Sequence, residues 1–190
     1  MNQLRRFINL GFLFGVTAGF ITPLQTISAA SKKHNVLVAY FSATGTTREI
    51  AQKIAAEIDA DILEIIPKIP YSSSDLNWND PSSRCSREHT NASIRPEIAG
   101  TKPDLRRYQN IVLGYPIWWG QAPLIIRTFL EQNDFSGKTI IPFATSASSP
   151  LGTSADNLRS FAPGANWKRG ARFGYRSGLK SIQSFIEENF

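Results

Sequence analysis

The chain has 190 residues, 42% of them apolar and 19% charged, with one cysteine and two histidines. That length fits a single domain, and the composition supports a packed core and excludes a disordered chain. Cys85 alone excludes an intrachain disulfide and a cysteine-rich zinc site, and His34 and His89 leave little material for a histidine metal centre. The formal net charge of +6 would by itself invite an acidic or nucleic-acid partner.

The N-terminus modifies that charge. Residues 1–30 hold no acidic residue; Arg5 and Arg6 precede an apolar stretch from Phe7 to Ile21, and Ser28-Ala29-Ala30 follow. A positive start, an apolar middle and a small-residue end read as a secretory signal peptide, cleaved after Ala30. The stretch is short for a membrane span, which needs ~20 apolar residues; an uncleaved anchor is the alternative. The expectation is therefore an exported bacterial protein, periplasmic or extracellular, with its domain in residues 31–190 and no stable membrane insertion after cleavage. Arg5-Arg6-Phe7-Ile8 matches a twin-arginine signal in part. Without residues 1–30 the chain keeps 19 basic and 15 acidic residues, a net charge of +4. These charges are scattered, which reads as a solvated surface rather than a nucleic-acid groove.

From residue 35 onward, apolar runs alternate with helical periods. Asn35 to Phe41 is a nearly continuous apolar run, as in a strand buried on both faces of a parallel sheet. Residues 47–58 place Ile50, Ala51, Ile54, Ala55 and Ile58 on one helical face. Asp61 to Ile66 reads as a second strand, with Glu64 suggesting a sheet edge. Residues 67–109 are long, polar and rich in Ser, Asn, Asp and Pro; such a segment is functional or carries short helices of its own. Ile111 to Tyr115 is a third strand, and Pro123 opens a helix carrying Leu124, Ile125, Phe129 and Leu130. Thr139 to Ala144 is a fourth strand, with Pro142 expected at a strand end or bulge. Ser154 is expected to cap a helix through Phe161. Trp167 to Phe173 is a weak fifth strand, and Ile182, Phe185 and Ile186 mark a closing helix. This alternation implies an α/β fold with a parallel sheet.

The first strand runs into Ser42-Ala43-Thr44-Gly45-Thr46-Thr47 and then a helix. A phosphate there meets the orphan N–H groups and the positive dipole end of the helix. Ser42, Thr44, Thr46 and Thr47 add hydroxyls, and Gly45 lets the backbone turn closely around an anion. The loop lacks the Gly-Lys-Ser/Thr ending of a Walker A loop, and the chain contains no G-x-G-x-x-G.

With this loop the sequence resembles the flavodoxin family, whose Ser-x-Thr-Gly-x-Thr motif holds the phosphate of flavin mononucleotide (FMN). Gly114-Tyr-Pro-Ile-Trp-Trp-Gly120 resembles the family's second flavin loop, and Thr145-Ser146 the start of its third. Asp75 to Asp80, Ser83-Arg84, Arg95-Pro96 and Ala162 to Trp167 resemble a bacterial flavodoxin-like subgroup with a long insertion after the second strand. The resemblance implies a doubly wound five-stranded parallel sheet of order 2-1-3-4-5, helices on both faces, and residues 67–109 as the insertion. It also implies FMN as the cofactor, held by Ser42, Thr44, Gly45, Thr46 and Thr47 at the phosphate. Pro116, Ile117, Trp118, Trp119 and Gly120 would surround the ring, and the amides of Thr145, Ser146 and Ala147 would meet its pyrimidine edge. Trp118 matches the family's stacking aromatic, while Trp119 shields the ring edge or packs under the loop.

The third loop departs from the family pattern. After Thr145-Ser146 the subgroup tends to have glycines, but this chain reads Ala147-Ser148-Ser149-Pro150-Leu151-Gly152, and no tyrosine is present to stack on the second ring face. Leu151 or part of the insertion is left to cover that face. Cys85 and His89, four residues apart beside Arg84 and Arg87, could meet on a helix, but no third group orients them. Asp75 and Asp80 are expected to cap short helices in the insertion.

The leading expectation is an exported electron carrier that binds FMN and has no catalytic acid–base set and no metal. Its partners would be redox proteins with an acidic face, since the chain is basic where flavodoxins are usually acidic. The alternative is an FMN-dependent NAD(P)H oxidoreductase acting on quinones or similar acceptors. A binding module that has lost its flavin is a third reading, which the hydroxyl loop and Trp118 oppose.

Overall fold

The computed structural model describes residues 35–190. The expectation of a signal peptide in residues 1–30 falls outside the described residues.

Among the described residues six parallel strands form one sheet: β1 (Val36–Tyr40), β2 (Asp61–Glu64), β3 (Asn110–Pro116), β4 (Thr139–Thr145), β5 (Asn166–Trp167) and β6 (Ala171–Phe173). Their order is β2-β1-β3-β4-β5, with β6 also on β4. Among the described residues four α-helices accompany them: α1 (Thr46–Glu57), α2 (Arg84–Thr90), α3 (Leu124–Gln132) and α4 (Leu179–Asn189). A 3-10 helix spans Asp156–Phe161.

The central strands are apolar throughout because both faces are covered. Along β1, Leu37 and Ala39, with Phe41 just after the strand, face one core with the apolar side of α3, while Val38 and Tyr40 face the other with α1 and α4. The same alternation runs along β3, where Ile111, Leu113 and Tyr115 oppose Val112. Tyr115 is fully buried, and burial pushes its phenol up to about 12 against the opposing hydrogen bond to Ser154. Gly114 is required by close approach: a Cβ there would lie 2.2 Å from the Phe143 ring. Glu64 does sit on the edge strand, where Tyr40 Oη donates to it at 3.2 Å and Arg48 pairs with it.

Three local expectations are corrected. The fifth strand is two short pieces, each paired with β4, and the ladder breaks between Trp167 and Ala171. Pro142 therefore lies inside β4, opposite Leu113 of β3. The Ile140 carbonyl accepts from Lys168 N–H, so by strand alternation the Pro142 nitrogen faces that same side, where the ladder is interrupted. A missing donor costs nothing there. Ser154 does not cap a helix: its hydroxyl donates to the Leu151 carbonyl at 2.7 Å and lies 3.2 Å from Tyr115 Oη. The helix that follows is a 3-10 turn with no side-chain cap.

The insertion is pinned to the domain rather than hanging from it. Pro67 and Ile98 form an antiparallel bridge. Tyr71 packs against Phe41 and Trp118, with ring centroids 5.7 and 5.3 Å apart. Its hydroxyl donates to Glu88 at 2.7 Å, and the Arg84 guanidinium lies 3.8 Å over its ring. Arg84 also donates to Glu88 at 2.7 Å, so the buried Glu88 carboxylate is doubly satisfied. Asp75 and Asp80 do not cap helices: they accept turn hydrogen bonds from Ser72 and Ser82, and the cap of α2 is Ser83, which accepts from Ser86 N–H. No helix among the described residues is long and apolar enough to cross a membrane.

Candidate functional site

Phe41, Pro116 and Thr145 end or follow β1, β3 and β4 at one edge of the sheet, so the loops after these strands converge there. That edge also holds the point where strand order reverses, between β1 and β3, the location at which open α/β sheets bind ligands. A cleft of about 620 Å³ opens there, lined by Thr44, Pro116, Ile117, Trp118, Trp119, Ser146 and Ala147. Its size falls within the ~300–1,000 Å³ of small-molecule sites. Leu76, Trp78 and Cys85 from the insertion, and Ser148 and Ser149 from the third loop, none of them expected from the sequence, line the same cleft.

The phosphate loop is built on Gly45. Its φ of 96° is left-handed, and its N–H donates to Ser42 Oγ at 3.0 Å. Gly45 is also the N-cap of α1, and no side chain caps that end. The first N–H with a backbone acceptor is that of Glu49, bonded to the Gly45 carbonyl at 3.0 Å. The N–H groups of Thr46, Thr47 and Arg48 therefore have no carbonyl a turn back, and they carry the positive end of the α1 dipole. Ser42, Thr44 and Thr46 keep their side chains at least partly accessible.

Thr47 does not. It is 1% exposed, and its Oγ1 lies 2.7 Å from Oγ1 of the buried Thr145. The hydroxyls of Thr47 and Thr145 thus satisfy each other between α1 and β4, leaving three hydroxyls, not four, around the phosphate position. The phase of α1 carried this signal, since Thr47 precedes Ile50 and Ala51 by three and four residues on the buried face.

The expectation for the third loop is narrowed in the same way. Ser146 gives its N–H to the Phe173 carbonyl at 3.1 Å and its hydroxyl to the Ser149 carbonyl. The Thr145 carbonyl accepts from Ile117 N–H at 2.9 Å, so its own N–H faces β3 as well. Of the three amides expected at a ring edge, Ala147 is the one outside these ladders. The third loop supplies no aromatic; Trp78 of the insertion does, so the insertion rather than Leu151 reaches the cleft.

Trp118 and Trp119 separate in role. Trp118 is half-buried, edge-on to Phe41 and Tyr71, with centroids 5.8 and 5.3 Å away. Those contacts hold its ring in one orientation as a wall of the cleft. Trp119 is 40% exposed and sits at φ 46°, followed by Gly120 at 76°. Reciprocal 2.9 Å hydrogen bonds between Trp118 and Gln121 close a two-residue hairpin around them. Two positive φ angles in such a hairpin suit Asn-Gly, so a tryptophan there is strained, and strain of this kind clusters at ligand sites. His89 stacks on Trp119 with a 4.6 Å centroid separation and 10° between planes. That leaves Cys85 and His89 apart in function: Cys85 is buried and 3.4 Å from Ser83 Oγ.

The comparisons with known proteins agree with this geometry. The chain is similar to a candidate flavoprotein from Bacteroides eggerthii, at 44% identity over 80% of this chain and 96% of that one, with a TM-score of 0.76. A second candidate flavoprotein, from Bacteroides uniformis, is 41% identical over 81% and 98%, with a TM-score of 0.78. A Lactobacillus acidophilus flavoprotein solved in complex with FMN is 25% identical over 73% and 93%, with a TM-score of 0.60. No curated protein matches. A model of the family described as Flavodoxin matches residues 35–189, spanning all six strands, the uncapped start of α1 and all three converging loops. The chain belongs to the flavodoxin family.

Proposed function

We propose that this chain binds FMN noncovalently in the cleft and carries electrons between partner proteins after export. The observation that carries this reading is the uncapped start of α1, with three orphan N–H groups, opening beside the Trp118 wall. The residues fit the group. Thr46, Thr47 and Arg48 offer backbone donors to a phosphate dianion, and Ser42, Thr44 and Thr46 offer hydroxyls. Trp118 offers a flat apolar face to a flat ring, and Ala147 an amide to its polar edge. The family relation and the FMN complex of the Lactobacillus acidophilus protein support the choice of flavin.

When bound, FMN supplies the redox chemistry, taking up and releasing one or two electrons. The protein's part is to hold the ring, exclude water with Trp118 and the insertion, and offer a route to a partner. Its net positive charge favours partners with an acidic face. Residues 1–30 supply the export signal in this reading, and a twin-arginine route would move the folded, loaded protein. The test is to purify the protein, incubate it with FMN, remove free ligand and record the visible spectrum. One FMN per chain is expected; no flavin absorbance contradicts the reading.

A second reading has one observation in its favour. Trp78 and Trp119 line the cleft while staying 68% and 40% exposed, which would let a second flat molecule approach. An oxidoreductase of this kind would take a hydride from NAD(P)H and one proton from solvent, and deliver two electrons and two protons to a quinone through the flavin. Rapid NADPH oxidation only when a quinone is present would favour it over the carrier.

A further inference from the structure

Residues 168–180 hold Lys168, Arg169, Arg172, Arg176 and Lys180 and no acidic residue. Elsewhere the described residues hold 12 basic and 15 acidic side chains, so the positive charge of the domain is concentrated in this one strip. None of the five takes part in an ion pair among the described residues. All five are exposed, as are Tyr175 at 65% and Leu179 between them. The Arg176 guanidinium lies 5.2 Å from the Tyr175 ring centroid.

The Arg172 part of this strip adjoins the cleft, whereas Lys168 lies toward its far end, its N–H on the Ile140 carbonyl and its Nζ on the Asn189 carbonyl. β6 runs beside the end of β4, and Ser146 N–H donates to the Phe173 carbonyl at 3.1 Å. Arg172 Nη2 reaches the carbonyl of Ser148, a cleft residue, at 3.4 Å. Unpaired cations flanking an exposed tyrosine and leucine match the composition of a protein interface, where Tyr and Arg are enriched. A single-sign field at the rim of a cleft raises the encounter rate of opposite charge ~10- to 10³-fold and weakens with salt.

We propose that the strip of Arg172, Arg176 and Lys180, with Arg172 at its cleft side, is the docking surface for an acidic redox protein that exchanges electrons with the flavin. The proposal rests on the FMN reading above. It concentrates the encounter on one flank of the cleft, beside the third loop, and leaves the insertion flank clear. Electron transfer then occurs across the loop from Ser146 to Ser149.

Two measurements test it. The first needs no flavin: calorimetric binding of poly-glutamate to the protein. Arg172→Glu with Arg176→Glu is expected to weaken binding by roughly tenfold or more, whereas Arg106→Glu, before β3 at the opposite end of that strand, is expected to leave it unchanged. Equal binding by all three proteins overturns the proposal. So does capture by phosphatidylglycerol vesicles with no binding of poly-glutamate, which would make the strip a membrane contact. The second uses the FMN-loaded protein reduced with dithionite. Each ferricyanide takes one electron and becomes ferrocyanide, and two return the flavin to its oxidised form, with protons released to solvent. The rate is expected to fall as salt rises to about 0.15 M and poly-glutamate is expected to slow it, with both effects lost in the double variant. A rate indifferent to salt and to poly-glutamate overturns the electron route. Failure to load FMN while poly-glutamate binding still depends on Arg172 and Arg176 contradicts the FMN reading and upholds the surface.

Discussion

Thr47 Oγ1 lies 2.7 Å from Thr145 Oγ1, both buried, and this one contact ties the start of α1 to the end of β4. It joins two of the three loops around the cleft. Thr47 also bears one of the orphan N–H groups, so the pair fixes where that donor points. Thr47→Val leaves the Thr145 hydroxyl without its partner in the interior, which costs roughly 1–3 kcal/mol. Changing both to valine removes both polar groups and is expected to cost less than the two single changes added together. Urea unfolding of the four proteins measures this; strict additivity would show that the hydroxyls do not depend on each other.

Gly45 has a φ of 96° and open space where a Cβ would stand. Backbone strain is therefore the whole cost of Gly45→Ala, about 1–2 kcal/mol. FMN affinity is expected to fall about tenfold as the loop relaxes away from the anion. Gly45→Asn, which tolerates the left-handed region, is expected to keep most of both. Unfolding midpoints and FMN titrations of the two variants check this.

The adjacent tryptophans are expected to respond oppositely. Trp118→Ala removes the ring wedged between Phe41 and Tyr71, loosening the insertion and costing roughly 3–5 kcal/mol, with FMN affinity lost. Trp119→Asn puts a favoured residue at φ 46° and is expected to hold or raise stability, with FMN binding retained. Thermal melts with and without FMN separate the two. A collapse of binding in the Trp119 variant alone would move the ring wall to that residue.

Tyr115 predicts a base-limb effect. Its phenol is pushed up to about 12 by burial, against an ordinary 10. Below pH 10 both folded and unfolded chains keep the proton, so the group changes nothing. Between pH 10 and 12 the unfolded chain ionises first, so its contribution to stability falls by up to about 1.4 kcal/mol per pH unit. Tyr115→Phe is expected to lose less stability than the parent between pH 9 and 11.5, read from denaturant midpoints. Parallel losses in both proteins would place the effect elsewhere.

The architecture was legible because buried parallel strands read as apolar runs, and α1 declared its buried face through Ile50, Ala51, Ile54 and Ala55. The phosphate loop was legible because its chemistry is local: a strand, a glycine and a helix start within a few residues. What stayed hidden was long-range. Nothing near Tyr71 in sequence shows that it meets Phe41 and Trp118, or that Trp78 reaches the cleft. The inward turn of Thr47 was readable from helix phase, but four hydroxyls in a row pointed the other way. The glycine at 170 also has a spatial cause: a Cβ there would lie 2.6 Å from the Pro142 carbonyl.

The central claim is that α1 holds a phosphate while Trp118 holds a ring. The most direct measurement is a titration of the purified protein with FMN and, in parallel, with riboflavin, which has the same ring and no phosphate, following tryptophan and flavin fluorescence. Charge-assisted hydrogen bonds contribute ~1.5–3 kcal/mol each, so FMN is expected to bind one to one and at least roughly 100-fold more tightly than riboflavin. Equal affinity for the two, or binding of neither, would contradict the account.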